Sequence, residues 1–157
     1  MGLQLGDRSV QVRIPPGIYD GETIRLRGQG EPGAAGAEAG DLLVTVQIQP
    51  HPAFRREALD LHVDLPITVG EAVRGGKVPV PTLDGEVTMT VPPGSQTGRV
   101  LRLRGKGIAR RDERGDLYAT LQVRVPARLD DDVLDRIDAA YGGDVRAELG
   151  AAAGGSR

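Results

Sequence analysis

A chain of 157 residues, with 39% hydrophobic and 27% charged residues, has room for one compact domain or two small ones. A net charge of −2 with the two signs interleaved leaves no electrostatic footprint for nucleic acid or an anionic membrane. Zero cysteines exclude disulfides, thiolate catalysis and a Cys-ligated zinc, and fit a reducing, cytoplasmic setting. No run reaches the length of a membrane span, and the opening MGLQLGDRSVQV lacks the apolar stretch of a secretory signal.

Taken in chain order, apolar residues alternate with polar ones, the period of half-buried strands. Val10, Val12 and Ile14 share one face, then Ile24 and Leu26, then Leu42, Val44, Val46 and Ile48, then Leu59, Leu61, Val63 and Leu65. Thr68-x-x-Glu71 forms a capping box and predicts a short helical turn ending near Gly75. Alternation resumes at Val78 and Val80, a hairpin is expected at Asp84-Gly85, and Val87, Met89 and Val91 follow. Leu101 and Leu103, then Leu117, Ala119, Leu121, Val123 and Val125, complete the strands. A helix is expected from about Asp131 to Tyr141, capped by Asp130 and stopped by Gly142, with an apolar stripe of Val133, Leu134, Ile137 and Tyr141. Residues 143–157, ending in GAAAGGSR, read as a disordered tail.

The chain repeats itself. IPPGIYDGETIRLRGQG (14–30) matches VPPGSQTGRVLRLRGKG (91–107) without a gap at a constant offset of 77, as from Gly17 to Gly94 and from Gly28 to Gly105. After a loop two residues shorter, GDLLVTVQI (40–48) matches GDLYATLQV (115–123). The match extends backwards to residue 1, where MGLQLGDR takes the place of a hairpin arm. Residues 59–77 have no counterpart, so the first repeat is shorter by about one strand and one short helix. The expected fold is mainly β: two tandem, similar β-sandwich-like units (1–55, truncated, and 56–128), a helix over 129–142, and the tail. A unit short of a strand leaves an open edge and uncovered apolar surface.

Residues that carry chemistry elsewhere read as structural here. Gly28-Gln-Gly30-Glu-Pro-Gly33 fits G-x-G-x-x-G, but a nucleotide site needs a helix to follow, and GAAGAEAG is loop. His51 and His62 have no Ser, Cys or second His in a catalytic arrangement. Asp41 and Asp116 occupy equal repeat positions, as expected of carboxylates that accept backbone amides in a duplicated turn. No catalytic residues, metal ligands or cofactor are expected. Sheet edges and apolar grooves instead suit an extended peptide.

IPPGIYDGETIRLRGQGEPG, GDLLVTVQIQPHPAFRRE, LDLHVDLPITVGEAVRGGKVPVPTLDGEVTMTVPPGSQTGRVLRLRGKG and RGDLY together resemble the C-terminal client-binding region of DnaJ-type co-chaperones, over about residues 9–128. The resemblance implies two tandem β-sandwich domains that bind unfolded polypeptides and pass them to a DnaK-type ATPase chaperone. It also implies a C-terminal helix that makes a homodimer, here Val133, Leu134, Ile137 and Tyr141. The family's J-domain His-Pro-Asp motif and its CxxCxGxG zinc repeats are missing from this sequence, so stimulation of the ATPase is not implied. For client contact, the His-Pro-x-Phe segment carries over as Phe54, which can equally be a core plug between the units. By internal repeat the second unit's surface would involve Val63, Leu65, Val78 and Val80, which alternation reads equally well as core. The competing function is an interaction scaffold that dimerises or pairs with a full-length relative, or a remnant without chaperone activity of its own.

Overall fold

A computed structural model describes residues 1–147. Met1–Arg124 form one compact unit, and the residues from Val125 on form a second. The chain is mainly β. The first repeat supplies two hairpins: β1 (Gly2–Leu5) with β2 (Arg8–Gln11), and β3 (Thr23–Leu26) with β4 (Leu42–Thr45). The second repeat runs through β5 (Phe54–Glu57), β6 (Asp60–Thr68), α1 (Val69–Arg74), β7 (Gly76–Thr82), β8 (Gly85–Val91) and β9 (Val100–Leu103). The short strands β10 (Ala109–Arg110) and β11 (Glu113–Arg114) then lead into β12 (Leu117–Arg124).

The second repeat packs as a sandwich. One layer is a four-stranded sheet in the order β5-β6-β12-β9, and the other is the hairpin β7-β8. Inward residues of both layers meet in one core. Leu61, Val63, Leu65 and Ile67 come from β6, Leu117, Ala119 and Leu121 from β12, and Val78, Val80, Met89 and Val91 from the hairpin. Each fully buried aliphatic side chain contributes about 1.5–3 kcal/mol of transfer free energy, and Leu117, Leu121, Val80 and Val91 have none of their surface exposed. The pairing of β12 with β6 is parallel, Leu117 opposite Leu61 and Leu121 opposite Leu65. Periodicity identifies both strands but is silent on which strand is whose neighbour.

Between these strands α1 covers one end of the core through Ala72. Its capping box is complete: the Glu71 amide donates to Thr68 Oγ1 at 3.1 Å, and the Thr68 amide donates to Glu71 Oε2 at 2.8 Å. Gly75 ends the helix at φ +74°, where a Cβ would sit 2.8 Å from Pro93 N and Val91 O. The last carbonyls of α1 are used as well, with Gly94 N donating to Val73 O and Ser95 N to Ala72 O.

Three local expectations shift. The β7-β8 loop is Leu83-Asp84 rather than Asp84-Gly85, because Gly85, at φ +108°, pairs with Thr82. The helix α2 runs Asp131–Ala139, two residues short of Tyr141, and Asp130 holds the N-cap position without a side-chain cap hydrogen bond. The β10-β11 hairpin was not foreseen, since two-residue strands have no period to read.

Candidate functional site

Where the two repeats meet, Tyr19 of the first lies between two arginines of the second part of the chain. The guanidinium of Arg56 sits 4.6 Å from the ring centroid and that of Arg110 4.4 Å. Arg56 also donates to Ile18 O at 2.7 Å, Gly17 O at 2.9 Å and Ala58 O at 2.8 Å. Arg110 is ion-paired with Glu22 at 2.9 Å. The Tyr19 amide on its carboxylate, with Arg110 beside it, holds the Glu22 carboxyl below its ordinary range. Gly17 is required here, because a Cβ would come within 2.5 Å of Ala109 O.

Beside this latch lies an apolar cleft of about 550 Å³ lined by Tyr19, Ile48, Phe54, Leu61, Leu83 and Ile108. Phe54 is half-buried: its ring packs against the sandwich core, and it lines the cleft too. His51 sets its approach. His51 Nδ1 accepts the amides of Ala53 at 3.1 Å and Phe54 at 3.3 Å, and the two rings lie 5.0 Å apart. Leu83, at the tip of the β7-β8 loop, is 56% exposed over the opening. Large apolar side chains left this open mark a contact surface.

The remaining polar residues of note are structural. Asp41 Oδ1 accepts the Gly28 amide at 2.9 Å and its Oδ2 accepts Arg25 Nε at 2.5 Å. In the second repeat Asp116 does the same with Gly105 at 2.7 Å and Arg102 at 2.7 Å. In both cases the backbone amide first and the arginine second hold the carboxyl below its ordinary value. His62 stacks on Tyr118 at 5.3 Å and lies 3.1 Å from Glu57.

Of the residues expected to touch a peptide, the structure brings Phe54 to the cleft and places the other four in the core. Val63, Leu65, Val78 and Val80 are at most 5% exposed, so their side chains are closed to a ligand in this conformation. They form the packed layer behind the site. Tyr19, Ile48, Leu83 and Ile108 were not singled out from sequence. The one available signal was a leucine in a hairpin turn, where polar residues are the rule. On α2 and just past its end the stripe lies open within its own unit: Val133, Leu134 and Tyr141 are 39–56% exposed, and no α2 residue is buried.

Two tandem copies of one β unit, the second a complete sandwich, with an apolar cleft at their junction, define the fold class. The chain belongs to the DnaJ C terminal domain family, whose model matches residues 4–126. It is 49% identical over 138 residues to the chaperone protein DnaJ 2 of Nocardia farcinica, covering 87% of this chain and 36% of that one. It is 52% identical over 126 residues to the chaperone protein DnaJ of Neisseria meningitidis, covering 79% and 34% respectively. With the chaperone protein DnaJ 1 of Streptomyces avermitilis, 47% identity extends over 99% of this chain and 41% of the relative. The chain thus spans between a third and about two-fifths of the length of these relatives. No helix among the described residues is long and apolar enough to cross a membrane.

Proposed function

We propose that this chain binds non-native polypeptides in extended form, as the client-binding part of a DnaJ-type chaperone. The observation that carries the reading is the cleft at the repeat junction, where Phe54, Ile48, Leu83 and Ile108 offer apolar surface to solvent. Such a surface takes apolar side chains of many sequences, and the neighbouring strand β7, hydrogen-bonded among the described residues only to β8, offers backbone groups without sequence demands. Val63, Leu65, Val78 and Val80 act from behind, fixing the strands that frame the site. Handing clients to a DnaK-type ATPase in the cytoplasm belongs to the same reading.

The test is suppression of aggregation of a chemically denatured client without ATP. The chain is expected to suppress it, and Phe54→Ser to weaken the effect several-fold at a temperature where circular dichroism shows the variant folded. Full-strength aggregation at several-fold molar excess of the chain would sink the proposal.

A homodimer, or pairing with a full-length relative, through Val133, Leu134, Ile137 and Tyr141 is the companion proposal, supported by the exposure of this stripe. Replacing Leu134 and Ile137 by Asp should halve the mass seen in analytical ultracentrifugation. An unchanged mass counts against it.

A further inference from the structure

The loops Gly6-Asp7 and Leu83-Asp84 hold the same place in the two repeats. Each closes a hairpin of the same register, Leu5 pairing with Arg8 as Thr82 pairs with Gly85. At the constant offset of 77 the aspartate is common to both loops, and its neighbours are not. Leu83 stands where the first repeat has Gly6, and Lys106 where it has Gln29. Arg114, the residue before the repeated Gly-Asp-Leu, stands where the first repeat has Ala39. One apolar side chain and two cations thus set the second loop apart, and the fold brings all three to Asp84.

Asp84 Oδ2 accepts Arg114 Nη2 at 2.7 Å and lies 3.9 Å from Lys106 Nζ. The turn is shaped from within by Thr82, whose Oγ1 accepts the Asp84 amide at 3.2 Å and donates to Gly85 O. Its two residues have different tasks. The Asp84 carboxylate ties the turn to the segment 106–114, while Leu83 lines the cleft together with Ile108, which belongs to that same segment. Ile108 is firmly seated: its amide donates to Leu59 O at 2.7 Å, its carbonyl accepts the Gly115 amide at 3.0 Å, and its side chain packs on the core. Leu83 is 56% exposed and lies outside the core cluster. What fixes it at the cleft is the hairpin behind it and the ion pairs beside it. Those pairs are open to water, with 46% of the Asp84 side chain and 44% of the Arg114 side chain exposed. Ion pairs so placed contribute little to folding and are screened by salt.

We propose that Asp84 is a positioning residue for the cleft, taken as the polypeptide site: its pairs with Arg114 and Lys106 hold Leu83 as a movable wall, so that capture of apolar segments responds to ionic strength. Apolar burial by itself carries no charge to be screened. Weakening of an uncharged ligand's binding by salt is therefore the signature of the clamp, and a rigid apolar cleft lacks it.

The experiment titrates the whole chain with a capped, dansyl-labelled peptide of Leu, Gln and Ser, which has no charged side chain. Its Kd should rise about 2–5-fold between 0.1 and 1 M NaCl, over which the screening length falls from about 10 to about 3 Å. Asp84→Asn, which keeps a residue suited to turns, and Arg114→Gln should each weaken binding in 0.1 M salt by a similar factor and abolish the salt dependence. The double variant should bind no more weakly than either single one, because both remove the same pair. In the chain without peptide, NMR relaxation of 13C-labelled leucine methyls should show Leu83 gaining mobility in Asp84→Asn and in 1 M NaCl, with Leu117 unchanged. Binding that needs Phe54 but is indifferent to salt and to Asp84→Asn overturns the proposal, and so does a Leu83 methyl equally ordered in Asp84→Asn and the unmodified chain. A peptide that does not bind, or binds equally to Phe54→Ser, overturns the client reading instead, and the methyl measurement then decides the clamp alone.

Discussion

Leu42 and Leu117 stand at the same point of a duplicated sequence, and only one of them is in a finished core. Around Leu117 the parallel neighbour β6, the hairpin β7-β8 and the helix α1 close the sandwich on every side. Around Leu42 the same strand pattern has one neighbour, and the side chain keeps part of its surface in water. The comparison teaches that alternation prepares a strand for burial, and that what it is buried against comes from elsewhere in the chain. It also separates two kinds of stability in one molecule. The second repeat rests on close-packed aliphatic side chains. The first relies more on hydrogen-bonded turns and on the Tyr19 latch.

The comparison can be broken most directly at those two leucines. Leu117→Ala should cost about 3–5 kcal/mol, because transfer and cavity terms add in a packed core. Leu42→Ala should cost about 1 kcal/mol, since solvent already reaches the site. Urea unfolding of both variants measures the pair, and equal losses would show the first repeat to be as closed as the second. Next in size is Arg56→Ala, which removes three hydrogen bonds to carbonyls and one face of the Tyr19 stack. A loss of about 1–2 kcal/mol is expected. Hydrogen exchange should rise in β3 and β4 and stay unchanged in β12; uniform loosening would contradict the latch.

The smallest effect is in acid. Asp41 and Asp116 are held below their ordinary value of 3.8, so near and below that pH the unfolded chain binds more protons than the folded one. Their support is complete well above pH 3.8 and fades as the pH falls towards the lowered folded values. Asn in place of either should flatten this acid loss. Asp116→Asn should do so more than Asp41→Asn, because the Asp116 side chain is 15% exposed against 26% for Asp41. An acid profile identical to that of the unmodified chain would show that neither turn responds to its carboxylate.

Much of this was legible in the sequence because local chemistry determines it. The matched Asp-turn pairs, the Thr68 box and the Gly75 stop depend on residues close in the chain or on a repeat that can be laid on itself. Alternation also marked Val63, Leu65, Val78 and Val80 as one-sided. It left open whether that side faced a peptide or the opposite layer, since burial is a property of the partner. The parallel pairing of β6 with β12 was out of reach for the same reason. The cleft was legible only at Phe54. Tyr19, Leu83 and Ile108 come from three separate loops, and nothing in their local sequence says that they converge.

The parallel pair has one more consequence, for the order of events in synthesis. Leu61 is made 56 residues before Leu117, its partner, and at 5–20 residues per second that gap lasts about 3–11 s. β6 is therefore made without the parallel neighbour it has in the finished sandwich, and the sheet β5-β6-β12-β9 closes only once β12 follows.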